Sequence, residues 1–208
     1  MSKARPYMVG MAGGSASGKT SILNALTSEF SPEEVALLSL DHYYFPPEKQ
    51  SKDPQGELNF DLPQSMDEQR FFEDLQKLMR NETVEKEEYT FNNKERAPQI
   101  IQIKPAPIVL TEGLFIFHFS EVKKLFDHKI YVHADPDVRL ERRIKRDQKE
   151  RGYPESDVRY RWLNHVRPAD EQFLEPYRKD CDRVIINNVS FDQEVEELIL
   201  FFKSILNQ

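Results

Sequence analysis

Residues 13 to 21 read GGSASGKTS. Such a stretch has almost nothing to bury. Gly13, four residues, then Gly18, Lys19 and Thr20 fit the pattern G-x-x-x-x-G-K-[ST]. Glycines let the backbone wrap tightly and aim successive amides inward. A helix opening near Lys19 adds the positive end of its dipole. The resulting cup suits a phosphate. Lys19 would reach the β- and γ-phosphates of a nucleoside triphosphate, and the Thr20 hydroxyl would ligate Mg²⁺. A chance glycine turn can share these letters. Here the stretch follows a strand-like run, YMVGMA (7–12), and opens a helical pattern, TSILNALTSEF, which is the required context.

Two acids each stand directly after an apolar run: Asp41 after LLSL and Glu112 after IVLT. Ligands of open α/β sheets sit outside the carboxyl ends of strands. An acid there is costly unless something pairs with it. Glu112 is assigned to the metal together with Thr20. Asp41 is assigned as the base that accepts a proton from an attacking hydroxyl, and also touches metal water. The alternative is that both are solvated strand-end acids.

From Arg139 to Arg161 the chain carries nine Lys or Arg and five Asp or Glu, within a molecule of net charge −7. The pairs Glu141–Lys145 and Asp147–Arg151 explain part of this as a solvated helix face. Arg143, Arg146 and Arg151 exceed what such pairing needs. Phosphoryl transfer spreads negative charge over the moving group, and an arginine brought to it is worth roughly 10³–10⁵ in rate. A flap carrying these arginines would also exclude water.

The supporting elements follow from periodicity. Strands are expected at 7–12, 34–41, 106–113, 129–135 and 182–188, with helices between them. SMDEQRFFEDLQKLMR (65–80) reads as a helix with a capping box, Ser65 and Glu68. EEYTF and QIIQIK around NNKERAP read as a small hairpin. A helix starts with Asp135 as N-cap and Pro136 at its first position, and stops at Gly152. Another covers 155–175, bent near Pro168, and a closing helix follows. The segment from His42 to Gln64 reads as a long loop. The pattern is α/β, with helices around a mostly parallel sheet. No composition shift divides the chain, so residues 1–208 are read as one domain with a hairpin insert (about 84–104) and a helical lid (about 139–165).

The acidic balance argues against a surface built wholly for nucleic acid or anionic lipid. A protein whose basic helix grips nucleic acid under nucleotide control is the alternative from another class. Cys181 stands alone, which excludes an internal disulfide and fits a reducing, cytoplasmic compartment. No run has the length of a membrane span or a signal peptide.

The blocks GGSASGKTS, LLSLDHYY, NFDLP, YTF, IVLTEGLFIF, RLERRIKRDQKERG and VRPADEQFLEPYRKDCDRVIINN, in this order and spacing, resemble the uridine/cytidine kinases of the phosphoribulokinase/uridine kinase group of P-loop proteins. The resemblance covers nearly the whole chain. It implies a P-loop, three-layer fold with a five-stranded parallel sheet, a hairpin over the acceptor and an arginine lid. It implies transfer of the ATP γ-phosphate to the 5′-hydroxyl of a pyrimidine nucleoside, with Mg²⁺, no nucleic acid, no membrane and a homo-oligomer of two or four chains. ATP would lie on Gly13, Gly14, Ser15, Ala16, Ser17, Gly18, Lys19, Thr20 and Ser21. Asp41 would be the base, with Thr20 and Glu112 on the metal. Asp61 would hold the ribose hydroxyls, Tyr44 would lie beside the sugar, and Tyr89 and Phe91 would line the base pocket. Arg143, Arg146 and Arg151 would meet phosphate.

The chain also departs from that group. Lys94 stands where a histidine is usual, and Thr90 is the middle residue of YTF. ERGYP replaces ERGRD, and Arg161 replaces a glutamine near the base. Lysine and arginine donate hydrogen bonds but cannot accept them. That disfavours cytosine, whose amino group needs an acceptor. Facing the acceptor pocket, Lys94 and Arg161 would suit a small anionic alcohol such as a sugar phosphate or hydroxy acid. Facing water, they would leave the acceptor open.

Overall fold

The computed structural model describes residues 4–90 and 97–207. Its strands are β1 (Tyr7–Ala12), β2 (Val35–Ser39), β3 (Ser51–Lys52), β4 (Leu58–Asn59), β5 (Val84–Glu87), β6 (Ile100–Ile103), β7 (Ile108–Gly113), β8 (His128–His133) and β9 (Arg183–Ile186). Five of them form one parallel sheet in the order β2-β7-β1-β8-β9. The reason is visible in β1. Met8 and Ala12 join one apolar layer, Val9 and Met11 the other, and all four are buried. A strand apolar on both faces must be covered on both.

Helix α1 (Lys19–Thr27) covers one face with Ile22, Leu23 and Leu26, joined by Leu198 and Phe202 of the C-terminal helix Asp192–Leu206. Helix α2 (Glu68–Met79) covers the other with Phe71, Leu75 and Leu78, packed with Met8, Val109 and Phe115. Gly10 lies mid-strand because rings occupy its side-chain space: a Cβ there would stand 2.8 Å from Phe117 and 2.9 Å from Phe126. The five-stranded α/β expectation holds. Among the described residues no helix is long and apolar enough to cross a membrane.

Three local expectations need correction. Ser65 is not the N-cap of α2. Pro63 starts a 3₁₀ turn over Pro63–Ser65, and Asp67 caps the helix by accepting from the Arg70 amide at 3.0 Å. Ser65 Oγ instead donates to the Asn59 carbonyl at 3.1 Å. The hairpin is real but paired earlier, Val84 opposite Ile103 and Glu87 opposite Ile100, so Tyr89 lies past the paired rungs. The helix expected over 155–175 runs from Glu155 to Arg178 without a break, as α5 (Glu155–Arg161) followed by π turns at Trp162–Val166 and Asp170–Leu174. Pro168 and Pro176 follow these π turns. Proline lacks the amide that would close a regular turn, and the wider π turn absorbs the mismatch without ending the helix.

Helix α3 (Ser120–Lys123) is a single turn after β7, and α4 (Pro136–Arg151) is the basic helix. Gly152, at φ 69°, ends α4 in the left-handed conformation that glycine adopts without strain.

Gly113 shows how the sheet positions the site. A Cβ there would collide with the Leu40 side chain, at the residue before Asp41. Gly113→Ala should therefore cost about 1–3 kcal/mol by overpacking, seen as a lower urea midpoint. It should also cut catalytic turnover more than an equally destabilising change far from Leu40. An unchanged midpoint would show that Leu40 yields freely.

Candidate active site

Between β1 and α1 the chain makes the expected cup. Ala16 (φ 61°) and Gly18 (φ 101°) both hold left-handed backbone. For alanine that conformation is strained and persists only where its surroundings enforce it. Gly18 has no capping side chain, so the first amides of α1 remain available to an anion.

Two residues that the sequence did not single out brace the loop. Arg139, on α4, donates from Nε to the Ser15 carbonyl at 2.9 Å and pairs with Asp170 at 2.6 Å. Its guanidinium fills the space a Gly14 side chain would need. Asn187 donates to the Ser17 carbonyl at 2.9 Å and closes the space beside Gly18. Both glycines are thus required by close approach as well as by the ligand.

Lys19 Nζ donates to the Gly13 carbonyl at 2.7 Å. Burial lowers its pKa, while neighbouring Glu112 and Asp41 oppose that fall. The sheet explains why the two acids meet it. β1 pairs with β7 and β7 with β2, in a register that sets Ser39 opposite Glu112. Ser39 Oγ donates to Glu112 Oε1 and also accepts from the Asp41 amide at 3.1 Å. One hydroxyl thereby fixes the Glu112 carboxylate and the 3₁₀ turn Leu40–Tyr43 that carries Asp41. Burial, with Asp41 alongside, raises the Glu112 pKa to about 7.

A carboxylate so destabilised suits a divalent cation. Thr20 is exposed at the first turn of α1 and supplies the hydroxyl. Hard oxygen donors of this kind suit Mg²⁺, which is commonly held by one or two carboxylates plus substrate phosphates. Among the described residues no cluster of three or more His, Cys, Asp or Glu forms a ready-made cage, in keeping with that mode.

On the acceptor side, Tyr44 follows Asp41 by one helical turn. Its ring lies 5.2 Å from that of Tyr89 and 6.0 Å from that of Phe60. Burial pushes its hydroxyl well above the ordinary range, reinforced by Asp41 and Asp61. The Tyr44 and Tyr89 rings thus meet next to the turn that carries Asp41. Asp61 is 4.0 Å from Arg143 Nη1. Lys86, on β5, donates to the His42 carbonyl at 2.6 Å and ties the hairpin to the Asp41 turn.

The basic helix is organised by a residue expected only as half of a surface pair. Asp147 is buried and receives Arg146 at 2.8 Å, Arg143 at 3.3 Å and Arg151 at 3.7 Å. Arg143 also reaches Ser15 Oγ in the phosphate loop at 2.9 Å. The three arginines share one buried carboxylate, with Arg143 buried against the loop, Arg146 half-buried and Arg151 still exposed. Arg161 packs against the loop that leads to Asp61. It donates to Glu57 at 2.7 Å and to the Leu58 carbonyl at 3.2 Å, so an acidic neighbour already engages it. Phe91 and Lys94 lie outside the described residues.

A family model described as "Phosphoribulokinase / Uridine kinase family" matches residues 8–194. A uridine kinase of Bacillus pumilus (strain SAFR-032) is 34% identical over 97% of this chain and 98% of its own length. A uridine kinase of Brevibacillus brevis (strain 47) is 36% identical over 90% of this chain and 89% of its own. Among solved structures, D-glycerate 3-kinase from Cryptococcus neoformans var. grubii superposes with a TM-score of 0.60 at 16% identity, covering 89% of each chain. That likeness concerns the fold alone.

Because the folded protein holds the Glu112 proton up to about pH 7, a divalent cation must displace it below that pH. Mg²⁺ affinity in the presence of an ATP analogue, followed by thermal shift, should fall roughly tenfold per unit on acidification below 7. Ser39→Ala removes a donor to the carboxylate and should move that midpoint to higher pH. Glu112→Gln should abolish the dependence. A midpoint that ignores Ser39 would show that its hydrogen bond does not tune the site.

Proposed function

The chain belongs to the phosphoribulokinase/uridine kinase family and is an ATP-dependent kinase, and from that premise we propose that it transfers the γ-phosphoryl group of ATP to the 5′-hydroxyl of uridine. The observation that carries the acceptor side is the contact of the Tyr44 and Tyr89 rings, 5.2 Å apart, next to the turn that bears Asp41, with Asp61 4.0 Å from Arg143. Ribose offers two vicinal hydroxyl donors, and a carboxylate accepts both; Asp61 supplies one. The neighbouring Tyr44 and Tyr89 rings suit a flat base.

Asp41 accepts the proton of the 5′-hydroxyl. The oxygen attacks the γ-phosphorus, the bond to the β–γ bridging oxygen breaks, and that electron pair leaves with ADP. Lys19, Arg143 and the loop amides stabilise charge on the moving group and the leaving phosphate. Mg²⁺, held by Thr20 and Glu112, would neutralise charge on the β- and γ-oxygens. Donors at Lys94 would favour the carbonyls of uracil over the amino group of cytosine. The anionic-alcohol reading needs cations at Lys94 and Arg161, and Glu57 already holds the second.

Asp41→Asn should leave ATP binding within a few-fold of wild type while turnover falls about 10²–10⁴, the usual worth of a general base. Product analysis on uridine, cytidine and a panel of small anionic alcohols tests the acceptor. Phosphorylation of uridine with a kcat/KM well above the panel is expected. Phosphorylation of the anionic alcohols alone would overturn the nucleoside reading.

A further inference from the structure

The segment that carries Asp61 to the site has little regular structure of its own. Past a 3₁₀ turn at Pro47–Lys49 it contains the two-rung pair β3–β4, Ser51 opposite Asn59 and Lys52 opposite Leu58, closed by a turn at Asp53–Gly56. Asp53 builds that turn with one oxygen: Oδ1 accepts from the amides of Gln55 and Glu57, each at 2.9 Å. Its other oxygen leaves the loop. Oδ2 accepts from Tyr160 Oη at 2.6 Å and lies 2.8 Å from His165 Nε2.

Tyr160 is on α5, and His165 is in the π turn that follows. The contact is sealed from water, with the Asp53 side chain 6% exposed and that of His165 1%. Arg161, beside Tyr160, makes a second attachment through Glu57 and the Leu58 carbonyl. Beyond β4 the order continues, because Asn59 Oδ1 accepts from the Asp61 amide at 2.9 Å. Helix α5 follows the arginine helix α4 after the turn at Gly152.

We propose that Asp53, Tyr160 and His165 form a latch that docks the acceptor loop onto the helix after the arginines and so sets the position of Asp61. Asp53 is a positioning residue for the acceptor, remote from the phosphate loop. A doubly engaged, buried carboxylate is suited to this task, since one group both shapes the turn and fixes where it sits. The proposal rests on the kinase reading for its kinetic consequence but not for the latch itself.

Two variants test it, Asp53→Asn and the milder Tyr160→Phe. Hydrogen exchange without any acceptor should show faster exchange at the amides of 55–61 in both, with the five-stranded sheet unchanged. Kinetically, KM for the acceptor should rise about tenfold or more in Asp53→Asn and by less in Tyr160→Phe. KM for ATP and kcat should stay within about twofold. The double variant should be no worse than Asp53→Asn, because both changes break one contact. Unchanged exchange at 55–61 would overturn the latch. So would a rise in both KM values together with a fall in kcat that tracks a lower melting temperature, since that pattern marks a merely structural role. If the wild type fails to phosphorylate uridine, the nucleoside reading falls, and the latch is judged by exchange and by KM for whichever acceptor the enzyme uses.

Discussion

A carboxylate held out of water beside a second acid is the constraint on which the site depends. Glu112 occupies the last rungs of a buried parallel strand, beside Asp41 and Lys19. Its charge has no solvent to stabilise it, and one lysine and one serine hydroxyl offset this only in part. Burial, with Asp41 alongside, therefore raises its pKa to about 7. That shift makes the carboxyl end of the sheet chemically responsive. It also explains the serine at 39, whose single hydroxyl is shared between the Glu112 carboxylate and the turn bearing Asp41. Parallel registry makes the sharing possible, since Ser39 and Glu112 are direct neighbours across β2 and β7.

The cationic side is built on the opposite principle. Arginines crowded near a phosphate site repel one another before the phosphate arrives. Asp147 resolves this by collecting Arg143, Arg146 and Arg151 around one buried anion. Asp170 does the same for Arg139, which fills the space over Gly14. Burial raises the Asp170 pKa to about 6 despite its partner, so the pair is finely balanced. The phosphate loop is thus braced by side chains far away in sequence, and its strained Ala16 can persist.

How much of this was legible in the sequence follows the range of the interactions. The five strands of the sheet, α1, and the limits of α4 at Pro136 and Gly152 come from local periodicity and turn chemistry, but the strand read over 34–41 ends at Ser39 and leaves Asp41 in the 3₁₀ turn beyond it. The phosphate loop was equally local, a contiguous run of glycines and hydroxyls. Ser65 misled because its spacing to Glu68 imitates a capping box, while Pro63 forces a 3₁₀ turn and leaves Asp67 as the cap. The hairpin register could not be read from letters, because Val84 and Lys86 alternate inward on a strand rich in charge. Asp147 was visible as a partner of Arg151, but its burial was not. Asp53 sat in what reads as an unstructured polar loop. Its partners lie more than a hundred residues on, at separations of 107 and 112. No local pattern encodes such a pair.

One departure from the resembling kinases, Arg161, acquires a meaning in three dimensions. Arg161 replaces a glutamine near the base, and read alone it suggests an anionic substrate. Its guanidinium instead meets Glu57, next to the turn that Asp53 forms. Tyr160, adjacent in sequence, meets Asp53 itself. Together with His165 at 2.8 Å, these contacts hold the Asp53 carboxyl well below the usual carboxylate range, so it is ionised throughout neutral pH. Arg161 therefore faces the loop that presents Asp61. A cation that has a carboxylate of its own adds little field to a neighbouring pocket, and its substitution changes how the acceptor loop is held more than what charge the acceptor must carry. On that argument, Arg161 acts on the loop that carries Asp61 through its contact with Glu57, and adds no unpaired charge beside it.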